Sequence, residues 1–86
     1  MRVGFKKDFR KRYKKITVKI RLQFDERFRL FMKDPYNPVL NNHPLTGDRA
    51  GQWSIDVTGD WRAIYIFKDN STVVFIDINT HSNLYK

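Results

Sequence analysis

Apolar positions along this chain follow one period in its first part and another in its last. Phe5, Phe9 and Tyr13 recur every fourth residue, while Lys7, Arg10, Lys11, Lys14 and Lys15 fall away from that line. The spacing forms one apolar stripe on a helix and predicts a helix over residues 8–15. Thr17 then offers a side-chain oxygen to cap a second helix. Ile20, Phe24, Phe28 and Phe31 line one side of it, with Val18, Leu22 and Met32 nearby and Lys19, Arg21, Arg27 and Arg29 outside or at the flanks. Aromatics at this spacing read as core, not as a ligand box. Asp34-Pro35-Tyr36-Asn37-Pro38 ends the helix, because proline removes a backbone donor and disfavours helix in the residue before it.

From Gln52 onward the period is two. Trp53, Ile55 and Val57 alternate with Ser54, Asp56 and Thr58, as in a half-buried strand. Thr58-Gly59-Asp60 is a turn. Residues 61–67 are apolar on both faces except at Arg62, which predicts a central strand. Lys68-Asp69-Asn70-Ser71 is a second turn, and residues 72–78 form another strand interrupted by Asp77. Residues 1–5 read as a short edge strand, and residues 82–85 as a terminal turn. The expected fold is α+β, in the order (β)ααβββ, with two N-terminal helices packed on one face of an antiparallel sheet. No repeat or second domain shows, so residues 1–86 are expected to be one domain.

Composition changes this picture in two ways. With 86 residues and no cysteine, neither disulfides nor a thiolate zinc site can hold the fold, so its core must come from apolar residues or a partner. The seven Phe, four Tyr and two Trp make that feasible. The net charge is +8 and lopsided: residues 1–33 hold 13 Lys/Arg against 3 Asp/Glu, and residues 34–86 hold 4 against 6. A basic first half suits a polyanion, although a solvated helix surface would look the same. The N-terminus has no apolar signal core, and the longest unbroken apolar run, residues 63–67, is far too short to span a membrane. A cytoplasmic protein without a membrane partner is expected.

The chain has two histidines, His43 and His81, each beside an element boundary and polar neighbours. RNA cleavage needs a base for the 2′-hydroxyl, an acid for the leaving 5′-oxygen and a cation or donors for the phosphate. Histidine suits the first two roles. Asp56, Asp60 and Asp77 are further proton-transfer candidates. Arg62, the one cation of the three-strand core, could pair with Asp60 or Asp77 or hold a phosphate. No metal or other cofactor is expected, since the spacing of zinc motifs, phosphate-binding glycine loops and nucleophile elbows is missing.

His43-Pro44-Leu45-Thr46-Gly47, then Asp60-Trp61-Arg62-Ala63-Ile64-Tyr65, then Asn79-Thr80-His81-Ser82-Asn83-Leu84-Tyr85 resembles the YafQ branch of the RelE/ParE toxins. Phe9-Arg10-Lys11-Arg12-Tyr13-Lys14-Lys15 is similar to that family's opening helix. The resemblance covers nearly the whole chain. It implies the toxin of a type II toxin–antitoxin pair that cleaves mRNA in the ribosomal A site without metal and is neutralised by a cognate antitoxin whose C-terminal segment wraps it. It also implies a site of His43, Asp60, His81 and Tyr85. Trp61 would support or stack beside it, and Arg62 stands where RelE proper contacts the scissile phosphate. Lys6, Lys7, Arg10, Lys11, Lys14 and Lys15 would anchor the protein on ribosomal RNA.

Two positions depart from the YafQ pattern. Asp56 stands where that branch carries a second-strand histidine, and Asp77 where it carries an arginine. An anion beside a phosphate is repulsive unless it is protonated or paired. Two other readings compete with mRNA cleavage. One is a ParE-like poison of DNA gyrase, which shares the fold but needs no acid–base set. The other is a catalytically impaired RNA-binding relic.

Overall fold

The computed structural model describes residues 1–85. The elements are β1 (Arg2–Phe5), α1 (Lys7–Lys15), α2 (Val18–Lys33), β2 (His43–Pro44), β3 (Trp53–Asp56), β4 (Trp61–Asp69), β5 (Thr72–Thr80) and α3 (His81–Leu84). The Thr17 hydroxyl caps α2 by accepting from the Ile20 N–H at 3.4 Å. That helix ends where the Asp34 N–H donates to the Leu30 carbonyl, one residue before Pro35. Besides two short 3-10 helices, Pro38–Leu40 and Gly47–Arg49, two of these elements were not expected from the sequence. β2 is a two-residue strand inside the predicted loop, and α3 is one helical turn where a terminal turn was read.

The five strands lie in the order β1-β5-β4-β3-β2. The expectation of an antiparallel sheet is corrected in one respect: β1 pairs parallel with β5, so the sheet is mixed. The reason is packing. The register Val3↔Val73 and Phe5↔Phe75 lays apolar side chains of β1 beside those of β5, on the side that α1 and α2 cover. β1 stops at Phe5, the Lys6 N–H donates to the Phe75 carbonyl at 2.9 Å, and α1 then runs along the flank of β5.

Both long helices pack on this one face. Phe9, Phe24 and Phe31 are buried with Ile55, Ala63, Tyr65, Val73, Phe75 and Ile78. Phe75 is the hub, with its ring centre 5.5–5.9 Å from those of Phe5, Phe9, Phe24, Phe28, Phe31 and Tyr65. Such pairs each contribute about 1 kcal/mol beyond area burial. Val18, Leu22 and Met32 lie outside this core, exposed.

The opposite face has a smaller apolar cluster of Leu45, Ile64 and Leu84, with Ile76 against it. Leu84 brings α3 down onto this face, so the C-terminal turn covers the middle of the sheet and leaves polar side chains around it. Among the described residues, no helix is long and apolar enough to cross a membrane.

Candidate functional site

Strand register fixes which side chains share the second face, because directly paired residues project to the same side. One row runs His43↔Ser54↔Ile64↔Asp77, and the next runs Asp56↔Arg62↔Asn79. His81 follows Thr80, whose partner is Trp61. All of this lies on or at the end of the face opposite α1 and α2.

α3 is fastened at both ends. At its start the His81 N–H donates to the Asp60 carbonyl at 2.8 Å, which brings the β3–β4 turn against the helix. The Thr80 hydroxyl caps the turn by accepting from the Asn83 N–H. At its end Arg49 Nε donates to the Leu84 carbonyl at 3.2 Å, while Arg49 Nη1 donates to Gln52 Oε1 at 2.9 Å. The His81 and Tyr85 rings are in contact, with centres 4.7 Å apart and planes tilted by 48°, as their i, i+4 spacing allows. Arg49 Cζ lies 6.0 Å from the Tyr85 ring centre, at the edge of cation–π range. Asp60, His81 and Tyr85 are exposed, so a ligand can reach them.

His43 stands on β2, apart from that cluster. Its Nδ1 lies 2.6 Å from the Asn41 carbonyl. A carbonyl only accepts, so the neutral ring carries its proton on Nδ1, and Nε2 keeps the free lone pair that a base requires. Among the described residues, no hydrogen bond joins the His43 side chain to Asp60 or His81.

Arg62 pairs with neither Asp60 nor Asp77. Its Nε lies 3.0 Å from Asp56 Oδ1, poorly aligned for a hydrogen bond, and the pair is largely covered at 16% and 27% exposure. Its Nη1 faces the carbonyls of Thr58, Gly59 and Trp61 at 2.9, 3.2 and 3.1 Å. Asp56 and Arg62 therefore tie the β3–β4 hairpin together. Asp77 is also paired: Arg12 of α1 lies 3.0 Å from its Oδ1. Its charge is thus compensated from a helix, and three strand spacings of ~4.8 Å separate its row position from that of His43.

Trp61 packs against the core on the α1–α2 side, away from the face of Arg62. Lys6, Lys7, Arg10, Lys11, Lys14 and Lys15 are all exposed. Among the described residues, no three His, Cys, Asp or Glu side chains gather as metal ligands. Sequence reasoning missed Arg49. The available signal was that residues 34–86 hold few cations, and one of them follows the Leu45-Thr46-Gly47 segment closely.

The sheet order, the helix pair on one face and the His81–Tyr85 turn on the other make up a small α+β fold that solved toxin structures share. Residues 1–86 match the family described as "Bacterial toxin of type II toxin-antitoxin system, YafQ". The chain belongs to that family. Among solved structures it is similar to YafQ from E. coli strain BL21(DE3), at 21% identity and TM-score 0.82, with all of both chains covered. It is also similar to the toxin–antitoxin complex RelBE2 from Mycobacterium tuberculosis, at 26% identity and TM-score 0.74, over 93% of this chain and 96% of that one. The E. coli DinJ–YafQ complex matches at 22% identity and TM-score 0.71, again over all of both chains. No curated protein matches the chain.

Proposed function

We propose that this toxin is a metal-independent endoribonuclease that cuts mRNA on the ribosome and thereby stops translation. The observation that carries this reading is the exposed His81–Tyr85 ring pair, tied through the His81 backbone to Asp60, on the sheet face that the long helices leave free. In this reading a base, Asp60 at the same sheet end as His81 or His43 from β2, takes the proton of an RNA 2′-hydroxyl. The 2′-oxygen attacks the adjacent phosphorus, the bond to the 5′-oxygen breaks, and His81 delivers a proton to that oxygen. The products are a 2′,3′-cyclic phosphate and a free 5′-hydroxyl, so protons and bonds balance. Tyr85 stacks on a base, and Asp60 supplies a carboxylate at the same end of the sheet. In this reading residues 1–86 are a single domain whose candidate residues sit at an open sheet end, which fits an mRNA presented by the ribosome.

The partner in this reading is a cognate antitoxin, like those in the DinJ–YafQ and RelBE2 complexes. An acidic segment with apolar anchors fits what α1 and α2 leave open. Phe5, Phe9, Tyr13, Phe24 and Phe28 line an apolar groove of about 550 Å³ together with Arg10, Lys14 and Asp25, whose carboxylate accepts from the Tyr13 hydroxyl. Cytoplasmic action follows from the ribosomal target.

The test is primer extension on mRNA from cells after induction, alongside purified toxin on programmed ribosomes. New ends within translated messages, with little cutting of naked RNA, support the reading. Intact messages together with broken DNA at gyrase sites support a gyrase poison in its place.

A further inference from the structure

Cleavage of a phosphodiester needs positive charge where the phosphorane oxygens form. If the site cuts RNA as proposed above, one of its cations must do this. Arg62 is engaged by Asp56 and three turn carbonyls and is largely covered. Arg12 is held by Asp77 on the flank of β5. Lys68 lies at the far end of β4 from Trp61 and His81.

Among the described residues, Arg49 stands at the His81–Tyr85 turn. Two of its nitrogens are fixed, Nε on the Leu84 carbonyl and Nη1 on Gln52 Oε1. Among the described residues, no carboxylate lies within ion-pair distance of it, and Nη2 makes no hydrogen bond. We propose that Arg49 is the phosphate-binding residue of this site, presenting its unbonded guanidinium edge to the phosphodiester that His81 and Tyr85 address. A guanidinium held by two hydrogen bonds has already lost most of its rotamer freedom, so binding a phosphate costs it less entropy. Arginine also meets phosphate with a planar pair of donors that lysine lacks. The role that the resemblance gives to Arg62 falls to a residue from the loop between β2 and β3.

The experiment is single-turnover cleavage of mRNA on programmed ribosomes by the parent, Arg49→Gln and Arg49→Lys, with NMR of the His81 ring in each. Removing a transition-state donor typically costs ~10²–10³-fold in rate. Arg49→Gln should lose on that order, Arg49→Lys should recover part of it, and the Tyr85 ring-current shift on His81 should persist in both. An unchanged rate in Arg49→Gln overturns the proposal. A loss that coincides with collapse of the His81 shift also overturns it, since Arg49 would then be only a clamp on α3. A parent that does not cleave refutes the RNA-cleaving reading instead. Arg49 is then judged by titrating the parent with inorganic phosphate: a shift of the Arg49 Nε–H resonance supports it, and no shift overturns it.

Discussion

The His81 N–H donates to the carbonyl of Asp60 at 2.8 Å, which fastens the turn between β3 and β4 to the first residue of α3. Two residues 21 positions apart in sequence thus share one end of the sheet. Both side chains stay exposed because the bond uses backbone atoms alone. The chemistry can therefore change at His81 without loosening this contact.

Leu84 is the opposite case. It is 6% exposed and packs with Leu45 and Ile64, so it holds α3 on the sheet by burial. Leu84→Ala should destabilise the fold by ~2–4 kcal/mol, within the range of buried leucine truncations. Urea unfolding measures this directly. A change below about 0.5 kcal/mol would show that α3 is not packed as described.

Arg62 and Asp56 form a largely covered pair at the base of a hairpin. Removing one partner leaves the other charge poorly solvated. Breaking a fully buried pair costs ~3–5 kcal/mol, and partial exposure here should reduce that to roughly 1–3 kcal/mol. Arg62→Gln should lower the melting temperature more than Arg49→Gln does, and scanning calorimetry on both variants compares them. Equal melting temperatures would remove the structural role given to Arg62.

Much of this architecture was legible from periodicity. The four-residue stripe of Phe5, Phe9 and Tyr13, the Thr17 cap and the alternation from Trp53 report local geometry, so they predict their elements. The direction of β1 did not follow, because residues 2–5 pair with residues 72–75 and nothing local encodes which way a strand docks. The Arg62–Asp56 pair depends on the β3–β4 register, and the Arg12–Asp77 pair on where β5 shifts register between Ile64 and Tyr65. His43, Asp60 and His81 were candidates from residue chemistry, Tyr85 and the grouping of the four came from resemblance, and Arg49 needed the fold of α3 to reveal its neighbours.

The exposed Lys6, Lys7, Arg10, Lys11, Lys14 and Lys15 should carry ribosome affinity without carrying stability. Exposed charges contribute little to folding, ~0–1 kcal/mol per pair. Replacing four of the lysines by Gln should weaken ribosome binding and flatten its salt dependence, with melting nearly unchanged. Co-sedimentation at several salt concentrations reads the effect. Affinity equal to the parent's would reduce this helix to a solvated surface.

Tyr65 gives a pH dependence. Its ring is 1% exposed, and its hydroxyl donates to Asn42 Oδ1 at 2.8 Å. Burial raises the phenol pKa from 10.0 to about 12. The folded state thus favours the protonated phenol. Its contribution to stability is complete below pH 10.0 and is lost as pH rises through about 12. Tyr65→Phe should lose about 1 kcal/mol near neutral pH with the hydrogen bond. It should also show a shallower decline in stability over that alkaline window. A decline as steep as the parent's would place the titration elsewhere, with Tyr13 next, since burial and its bond to Asp25 raise it as well.

In the function proposed above, His81 serves as a proton-transfer group for RNA cleavage. The most direct test of that role is single-turnover cleavage by purified His81→Ala on programmed ribosomes, with thermal unfolding measured on the same sample. His81 is exposed, and its anchoring bond is a backbone bond, so the melting temperature should stay near that of the parent. A positioned acid or base is worth ~10²–10⁴-fold, so the cleavage rate should fall by that order. A variant that is as stable as the parent and cleaves at the parent's rate would contradict the account.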